Sequence, residues 1–526
     1  MHAVFRSSGH PPGNAAPGTA PLRARAWALA AALAVSSALT GCAGGPAIAP
    51  QASTAQPVDP ITLFPLENYD QNVDHWIDPS SPGYDTPFLS SDEQRAQFDA
   101  FYARYFGSGP GDPSPWNPAY IRNRVYGEGG SDIVALQTRR LDAYDNTDQS
   151  PRRIGYGMNF RPHTKAWIDA IAQQVDPAQF RRAATYDASK RAIATSALLV
   201  RELPTLDPSF YSRHLAGEGY PFDNLQVSAA RPGTPLYVLG ASADGSWSYV
   251  QTPDVQGWVK SDGLAYVDDA FVARWRAMTR QTPGVVIGAL AGVRDTGGVF
   301  RFDAPAGTLL PLQGAPAAGT RLAAVPVRDT DGRAAVRMAA LADTAIVPAP
   351  LAATPRHLAW LLKALIGRPY GWGNTNFDND CSAELQSIFA AFGVWLPRHS
   401  STQMSAGEMT DLSSLTPAAR LDYLARHGKP MRTLIYIGGH VMLYVGDAQR
   451  DGRAVPLVYQ DVWGLRPADN SRRAVIGGSV FLPLLLRYPE DPGLESLAAT
   501  STFQISIIGM PAGGAAPHLD EENPAG

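Results

Sequence analysis

At 526 residues the chain is longer than one hydrophobic core usually organises, so several domains are expected. A formal net charge of -4 and the lack of a long basic run exclude the clustered cations that nucleic-acid recognition needs, and no nucleic-acid partner is expected. With 49 Gly, 45 Pro and 17% charged residues, turns and short strands should outnumber long helices, as in a β-rich, loop-rich multidomain protein.

Residues 1–41 read as a targeting segment. Arg6, Arg23 and Arg25 precede an apolar run from Ala26 to Leu39 that is too short for a comfortable membrane span. The tetrad Leu39-Thr40-Gly41-Cys42 resembles the lipobox of bacterial lipoproteins, which implies lipidation of Cys42 and a membrane anchor. An ordinary secretory signal cut near Ala43 and a short retained anchor are the other readings. Residues 42–58, rich in Ala, Gly, Pro, Ser and Gln, suit a flexible tether. Cys42 and Cys381 are the only cysteines, so a lipidated Cys42 leaves Cys381 as a free thiol in an exported protein.

Residues 59–174 form a mixed, largely helical first unit. Ser90 and Ser91 followed by Glu93 and Gln94 predict a capping-box start to a helix ending near Phe106, with Phe98, Phe101, Tyr102 and Tyr105 along one core-facing stripe. A second helix is expected from His163 to Gln174. Between 175 and 275 the pattern changes to short strands at Leu236–Leu239, Ser246–Val250 and Gly257–Val259, separated by Gly, Asp and Pro turns. The series Gly233-Thr234-Pro235, Asp244-Gly245-Ser246-Trp247 and Gly257-Trp258-Val259 resembles a bacterial SH3 domain, with Trp247 and Trp258 either lining a groove for wall peptide or filling the barrel. Strand-like runs from 276 to 350 suggest a second small SH3-like barrel, closed by a linker at Pro348-Ala349-Pro350.

The last unit, residues 353–490, is followed by an expected C-terminal tail at 491–526. Thr354-Pro355 predicts a helix running to Gly367. Asp378, Asn379 and Asp380 offer caps for a further helix carrying Leu385, Ile388, Phe389 and Phe392 on one face, with Gly393 as its stop. Cys381 then sits in a first helical turn, where free N–H groups and the positive dipole end favour a thiolate and where its own N–H faces the oxygen of an attacked carbonyl. The base must come from elsewhere. His440 follows Gly438-Gly439 and opens the apolar, β-prone run Val441–Val445; His399 and His427 lie in turn-like contexts that would not fix a ring.

On Tyr370-Gly371-Trp372-Gly373, Asp380-Cys381-Ser382 and Gly439-His440-Val441, residues 353–490 resemble the NlpC/P60 family of cell-wall cysteine peptidases, and the whole mature chain resembles its multidomain lipoprotein branch. The resemblance implies a papain-like catalytic domain in a multidomain α+β protein that acts as a thiol peptidase on peptidoglycan stem peptides, typically between γ-D-glutamyl and the diamino acid. It places Cys381 as nucleophile, His440 as base and Gln460 as the residue that orients His440, with Asp461 as the fallback for that role. Tyr370, Asp380 and Ser382 are the candidate substrate-binding residues, Asp380 by pairing with a free amine or acting only as an N-cap. Arg398 is either a surface arginine or a partner for a substrate carboxylate. No metal or organic cofactor is implied, a monomer is expected, and the lipid anchor implies the periplasmic face of an outer membrane. A wall-binding lipoprotein without catalysis, and an amidase or acyltransferase using the same thiol on another amide, are the alternatives.

Overall fold

The computed structural model describes residues 61–317, 319–450 and 452–510, the side chains of 315–317 excepted. The signal segment, Cys42, the tether and residues 511–526 lie outside the described residues. The described residues cluster as one unit, and its parts share cores.

The first helix, Ser91–Phe106, opens with the expected capping box, in which Ser90 and Glu93 each accept from the other's backbone N–H. The later helix, Lys165–Val175, is capped by Thr164. Between them lies Ser131–Ala143, which sequence inspection passed over. It follows two left-handed glycines, Gly129 and Gly130, has no side-chain cap, and turns Gln137 as well as Ile133 into the core.

These helices do not make a core of their own, which corrects the expectation of a separate domain at 59–174. Ile121, Ile133, Ile168, Ile171 and Phe180 pack on Tyr237, Leu239, Tyr249, Trp247 and Trp258 of the following sheet. That sheet runs in the spatial order 226–230, 198–201, 256–260, 247–251, 235–241, 191–194, 264–266. Period-two alternation sends Leu236 and Val238 into its own interior and Tyr237 and Leu239 toward the helices, so both faces are buried. Trp247 and Trp258 therefore neither line an open groove nor fill the barrel. They face the helical layer, where Trp258 Nε1 donates to Gln137 Oε1 at 2.9 Å.

A helix absent from the sequence reading, Asp269–Gln281, follows the first barrel and stacks Phe271 and Trp275 with Phe106 and Trp116. A second small β unit comes next. Strands 283–286, 309–317, 320–328, 334–342 and 346–348 form one sheet, and 290–294 with 300–305 form a hairpin over a core that includes Val293, Phe302, Leu310 and Val325.

The final unit is built on a seven-stranded sheet in the order 61–63, 473–483, 453–465, 441–450, 433–436, 504–507, 408–411. Thr354 caps the helix Pro355–Leu365, and Asp380 caps the helix Cys381–Ala391. Both pack on one sheet face against Val441, Leu443, Tyr459 and Phe481, while Leu424 of the helix Pro417–His427 packs on the other against Met442, Val458 and Phe503. Every residue of Cys381–Ala391 is buried, not only the expected face, because sheet, neighbouring helix and barrel enclose it.

Two boundaries move. Strand 61–63 joins this sheet from the N-terminal side by parallel pairing with 473–475. The expected tail contributes strand 504–507, hydrogen-bonded between 433–436 and 408–411. Phe503, Ile505 and Ile508 are fully buried there, and their burial stabilises by roughly 1.5–3 kcal/mol each, together on the order of a domain's whole stability. A chain ending at Thr500 is therefore expected to lose its cooperative thermal transition in circular dichroism, whereas melting at the full-length temperature would show that the strand is dispensable.

Candidate active site

Three local devices place Cys381, the candidate nucleophile. The entry loop after Tyr370 turns through left-handed conformations at Gly373, Asn374, Asn376 and Phe377. Gly373 has φ +60°, and a Cβ there would meet the Gln226 carbonyl oxygen at 2.5 Å, so glycine is required by both backbone and space. Asp380 then caps the helix by accepting from the Ala383 N–H at 3.0 Å. Cys381 is the first helical residue, and its N–H belongs to the turn that has no intrahelical acceptor.

Asp380 and Ser382 are already occupied within the protein. Arg398 donates to both Asp380 oxygens, at 3.1 and 2.6 Å, to Ser382 Oγ at 2.7 Å, and through Nε to Ser228 Oγ of the barrel at 2.9 Å. The Gly373 N–H adds a further bond to Asp380 Oδ2. Burial alone would raise the Asp380 pKa, but the Arg398 charge and its hydrogen bonds outweigh burial and hold the carboxyl below the usual carboxylate range. Asp380 is thus an N-cap with its charge matched, and Arg398, read as a surface residue, is 5% exposed.

His440 is set by the turn before it. Gly438 and Gly439 both have φ near +80°, the Ile437 N–H donates to the His440 carbonyl, and the Gly439 N–H donates to the Tyr436 hydroxyl at 3.0 Å. From the neighbouring strand, Gln460 Oε1 lies 2.6 Å from His440 Nε2. A carbonyl oxygen only accepts, so Nε2 carries the proton and Nδ1 is the nitrogen left with a lone pair. The N–H of Val441, the residue after His440, is directed at the Cys381 sulfur, which brings thiol and imidazole to the same stretch of backbone.

The resting pair is neutral. Burial first, then the Asp380 charge, push the thiol up to about 12 against the opposing Val441 N–H and Arg398. Burial pushes the His440 imidazole down to about 4, against the Gln460 hydrogen bond and the Asp380 charge. The helix start was expected to favour a thiolate, but desolvation is the larger effect here. Burial therefore favours an unprotonated His440 down to acidic pH.

Asp461 lies elsewhere than the fallback role requires. Alternation along strand 453–465 turns it away from the Gln460 face. It is 1% exposed, and neither carboxyl oxygen has a hydrogen-bond partner among the described residues. Burial and the nearby Glu384, Asp380 and Asp378 hold it protonated, well above the carboxylate range. Glu384, one turn after Cys381, was missed by inspection; it accepts from the Tyr459 hydroxyl at 2.5 Å, Ser479 Oγ at 2.9 Å and Asn379 Nδ2 at 2.6 Å.

The remaining candidates separate cleanly. Tyr370 lines the cleft beside Cys381 and packs against Trp463 and Phe222, the last from the barrel domain. His399 lines the same cleft but does not meet Gln460, and His427 is exposed against Tyr423. The cleft, about 600 Å³, has three walls: Cys381 with its neighbours at 370–382, 395–402, 436 and 439, barrel residues 202, 224, 226, 227 and 254–256, and the helical segment 120–143. Sequence reading left this third wall undetected, because nothing local in residues 120–143 points to a site more than 220 residues away. Among the described residues no His, Cys, Asp and Glu cluster suits a metal ion, and no helix is long and apolar enough to cross a membrane.

Comparison with known proteins agrees with this layout. Residues 208–260 match the SH3 domain model of SH3b1 type, and residues 367–466 match the NlpC/P60 family model. The chain is a multidomain α+β protein that carries an SH3b1-type domain followed by an NlpC/P60 domain. It is 30% identical over 98 residues to the γ-D-glutamyl-L-lysine dipeptidyl-peptidase of Bacillus cereus (strain ATCC 10987 / NRS 248), a match spanning 18% of this chain and 29% of that protein. Its fold is similar to that of an NlpC/P60 endopeptidase from Photobacterium damselae subsp. piscicida, at 24% identity and a TM-score of 0.71, covering 86% of this chain and 99% of the other.

The protonated Asp461 carries a pH signature. An unfolded aspartate ionises near about 3.9 while the folded group keeps its proton, so Asp461 costs stability progressively as pH rises above that value. Asp461→Asn removes the penalty. The variant should melt above wild type at pH 8, with the gap closing toward pH 4; a constant or inverted gap would show that Asp461 is ionised in the fold.

Proposed function

We propose that this protein is a peptidoglycan hydrolase that cuts stem peptides at the γ-D-glutamyl–diamino acid bond through a cysteine acyl-enzyme. The observation that carries the reading is a buried thiol at a helix start that lines a cleft closed on three sides and receives the N–H of Val441, the residue next to an imidazole whose Nε2 is held by Gln460. The NlpC/P60 model match and the name of the Bacillus relative support the substrate class.

In this mechanism Cys381 Sγ attacks the scissile carbonyl as its proton passes to His440 Nδ1. The new oxyanion meets the Cys381 N–H at the helix start, an interaction worth about 2.7–4 kcal/mol of barrier in comparable sites. Imidazolium then protonates the departing amine. Water, activated by the regenerated imidazole, releases the acid and restores the thiol. Gln460 keeps the Nε2 tautomer without adding a negative charge beside a thiol already opposed by Asp380. A pocket of about 600 Å³ accommodates a short peptide rather than an intact polymer, which favours soluble muropeptide fragments as substrates.

Cys381→Ala is expected to abolish cleavage of purified muropeptides, read by mass spectrometry, while leaving the melting temperature near that of wild type; undiminished product would sink the proposal. The anchor is a second part of the reading. The Leu39–Cys42 tetrad supports lipidation of Cys42 and a periplasm-facing location, so Cys42→Ser should shift the protein from the membrane to the soluble fraction, and retention in the membrane would count against lipidation.

A further inference from the structure

The cleft holds charge that the catalytic residues do not use. Five guanidinium groups line it, and three are occupied. Arg398 is bound to Asp380 and Ser382, Arg140 faces Glu202, and Arg104 stacks on Trp395 while donating to the Pro253 carbonyl. Arg124 and Arg139 remain, both exposed and without a hydrogen bond or ion pair among the described residues. They belong to the helical wall. So do two further cleft-lining groups, Glu128 and Asp132, whose carboxylates are likewise unpaired, with Asp132 Oδ1 buried and without a partner.

The free charges on this wall are therefore two cations and two anions within residues 124–139. When a ligand displaces water from a narrow cleft, each charge left unmatched costs desolvation energy. A neutral peptide leaves all four unmatched, and a polyanion meets Glu128 and Asp132. A group carrying a carboxylate and an ammonium on one carbon matches both signs, the carboxylate taking the planar guanidinium fork.

Resting on the hydrolase reading above, we propose that the wall formed by Arg124, Glu128, Asp132 and Arg139 is a specificity subsite for a free α-amino carboxylate on the substrate peptide. The distal end of a diamino-dicarboxylic acid residue is such a group until its amine is acylated by cross-linking. The helical segment thereby selects peptides that are not cross-linked, and the arginines recognise the carboxylate while Glu128 and Asp132 recognise the ammonium. The catalytic side of the cleft does not duplicate this role, because Arg398 is already committed to Asp380.

The test uses three synthetic stem peptides that differ only at the distal end of the diamino acid: free zwitterion, carboxamide, and N-acetyl. Wild type should favour the free form over each blocked form by about tenfold or more in kcat/KM, the scale of one charge-assisted hydrogen bond. In the double variant Arg124→Gln/Arg139→Gln the free form should fall to the wild-type level on the carboxamide, mainly through KM, with the penalty for acetylation retained. Glu128→Gln should instead erase the penalty for acetylation. Equal wild-type turnover of all three peptides, or an equal loss on all three in the arginine variant, overturns the subsite while leaving the hydrolase reading in place. Failure of wild type to cleave any of them overturns the hydrolase reading itself.

Discussion

The buried ion pair between Asp380 and Arg398 is the constraint on which the rest of the site depends. It fixes the first turn of the nucleophile helix, because the same carboxylate caps the Ala383 N–H and holds the Gly373 N–H of the entry loop. It also crosses a domain boundary, since Arg398 Nε reaches Ser228 of the barrel. Gln226 reinforces that junction by donating to the Gly373 carbonyl at 2.8 Å. Removing one member of such a pair leaves a buried charge unmatched, at a cost of about 3–5 kcal/mol, so the barrel and the catalytic unit share a single electrostatic solution.

Burial then sets the charge states of Cys381 and His440. A helix N-terminus stabilises a thiolate by about 1 kcal/mol or somewhat more, whereas withdrawing a thiolate from water into this interior costs more, and Asp380 adds repulsion. The same desolvation disfavours imidazolium at His440. A neutral thiol and a neutral imidazole are the consequence. Gln460 fits that arrangement better than a carboxylate does: it fixes the tautomer and leaves the electrostatic balance unchanged.

The cleft is an assembly property. Its floor belongs to the NlpC/P60 domain, one side to the SH3b1-type domain, and the other to helices that have no core apart from the barrel. The tryptophans that resemble a ligand groove are consumed in joining barrel to helices, with Trp258 hydrogen-bonded to Gln137. Their burial is what holds segment 120–143 against the cleft, so the SH3b1-type domain forms part of the wall of the candidate site.

What the sequence determined by itself was local. The capping box near Ser90, the Thr354 and Asp380 caps and the tight Gly438-Gly439 turn depend on residues within a few positions of one another, and each is present in the structure. Because these devices set the starts of the Cys381 helix and the His440 strand, the candidate nucleophile and base were legible. Gln460 was reached through family resemblance, and strand register then set it on His440 and turned Asp461 away. Tertiary structure alone decided the burial of Arg398, the insertion of strand 504–507 into the sheet, the direction faced by Trp247 and Trp258, and the third wall with its unpaired Arg124 and Arg139. It also decided the protonation states. The physical reason is common to all of these: desolvation, charge pairing and sheet order sum over neighbours hundreds of residues apart, which no local pattern records.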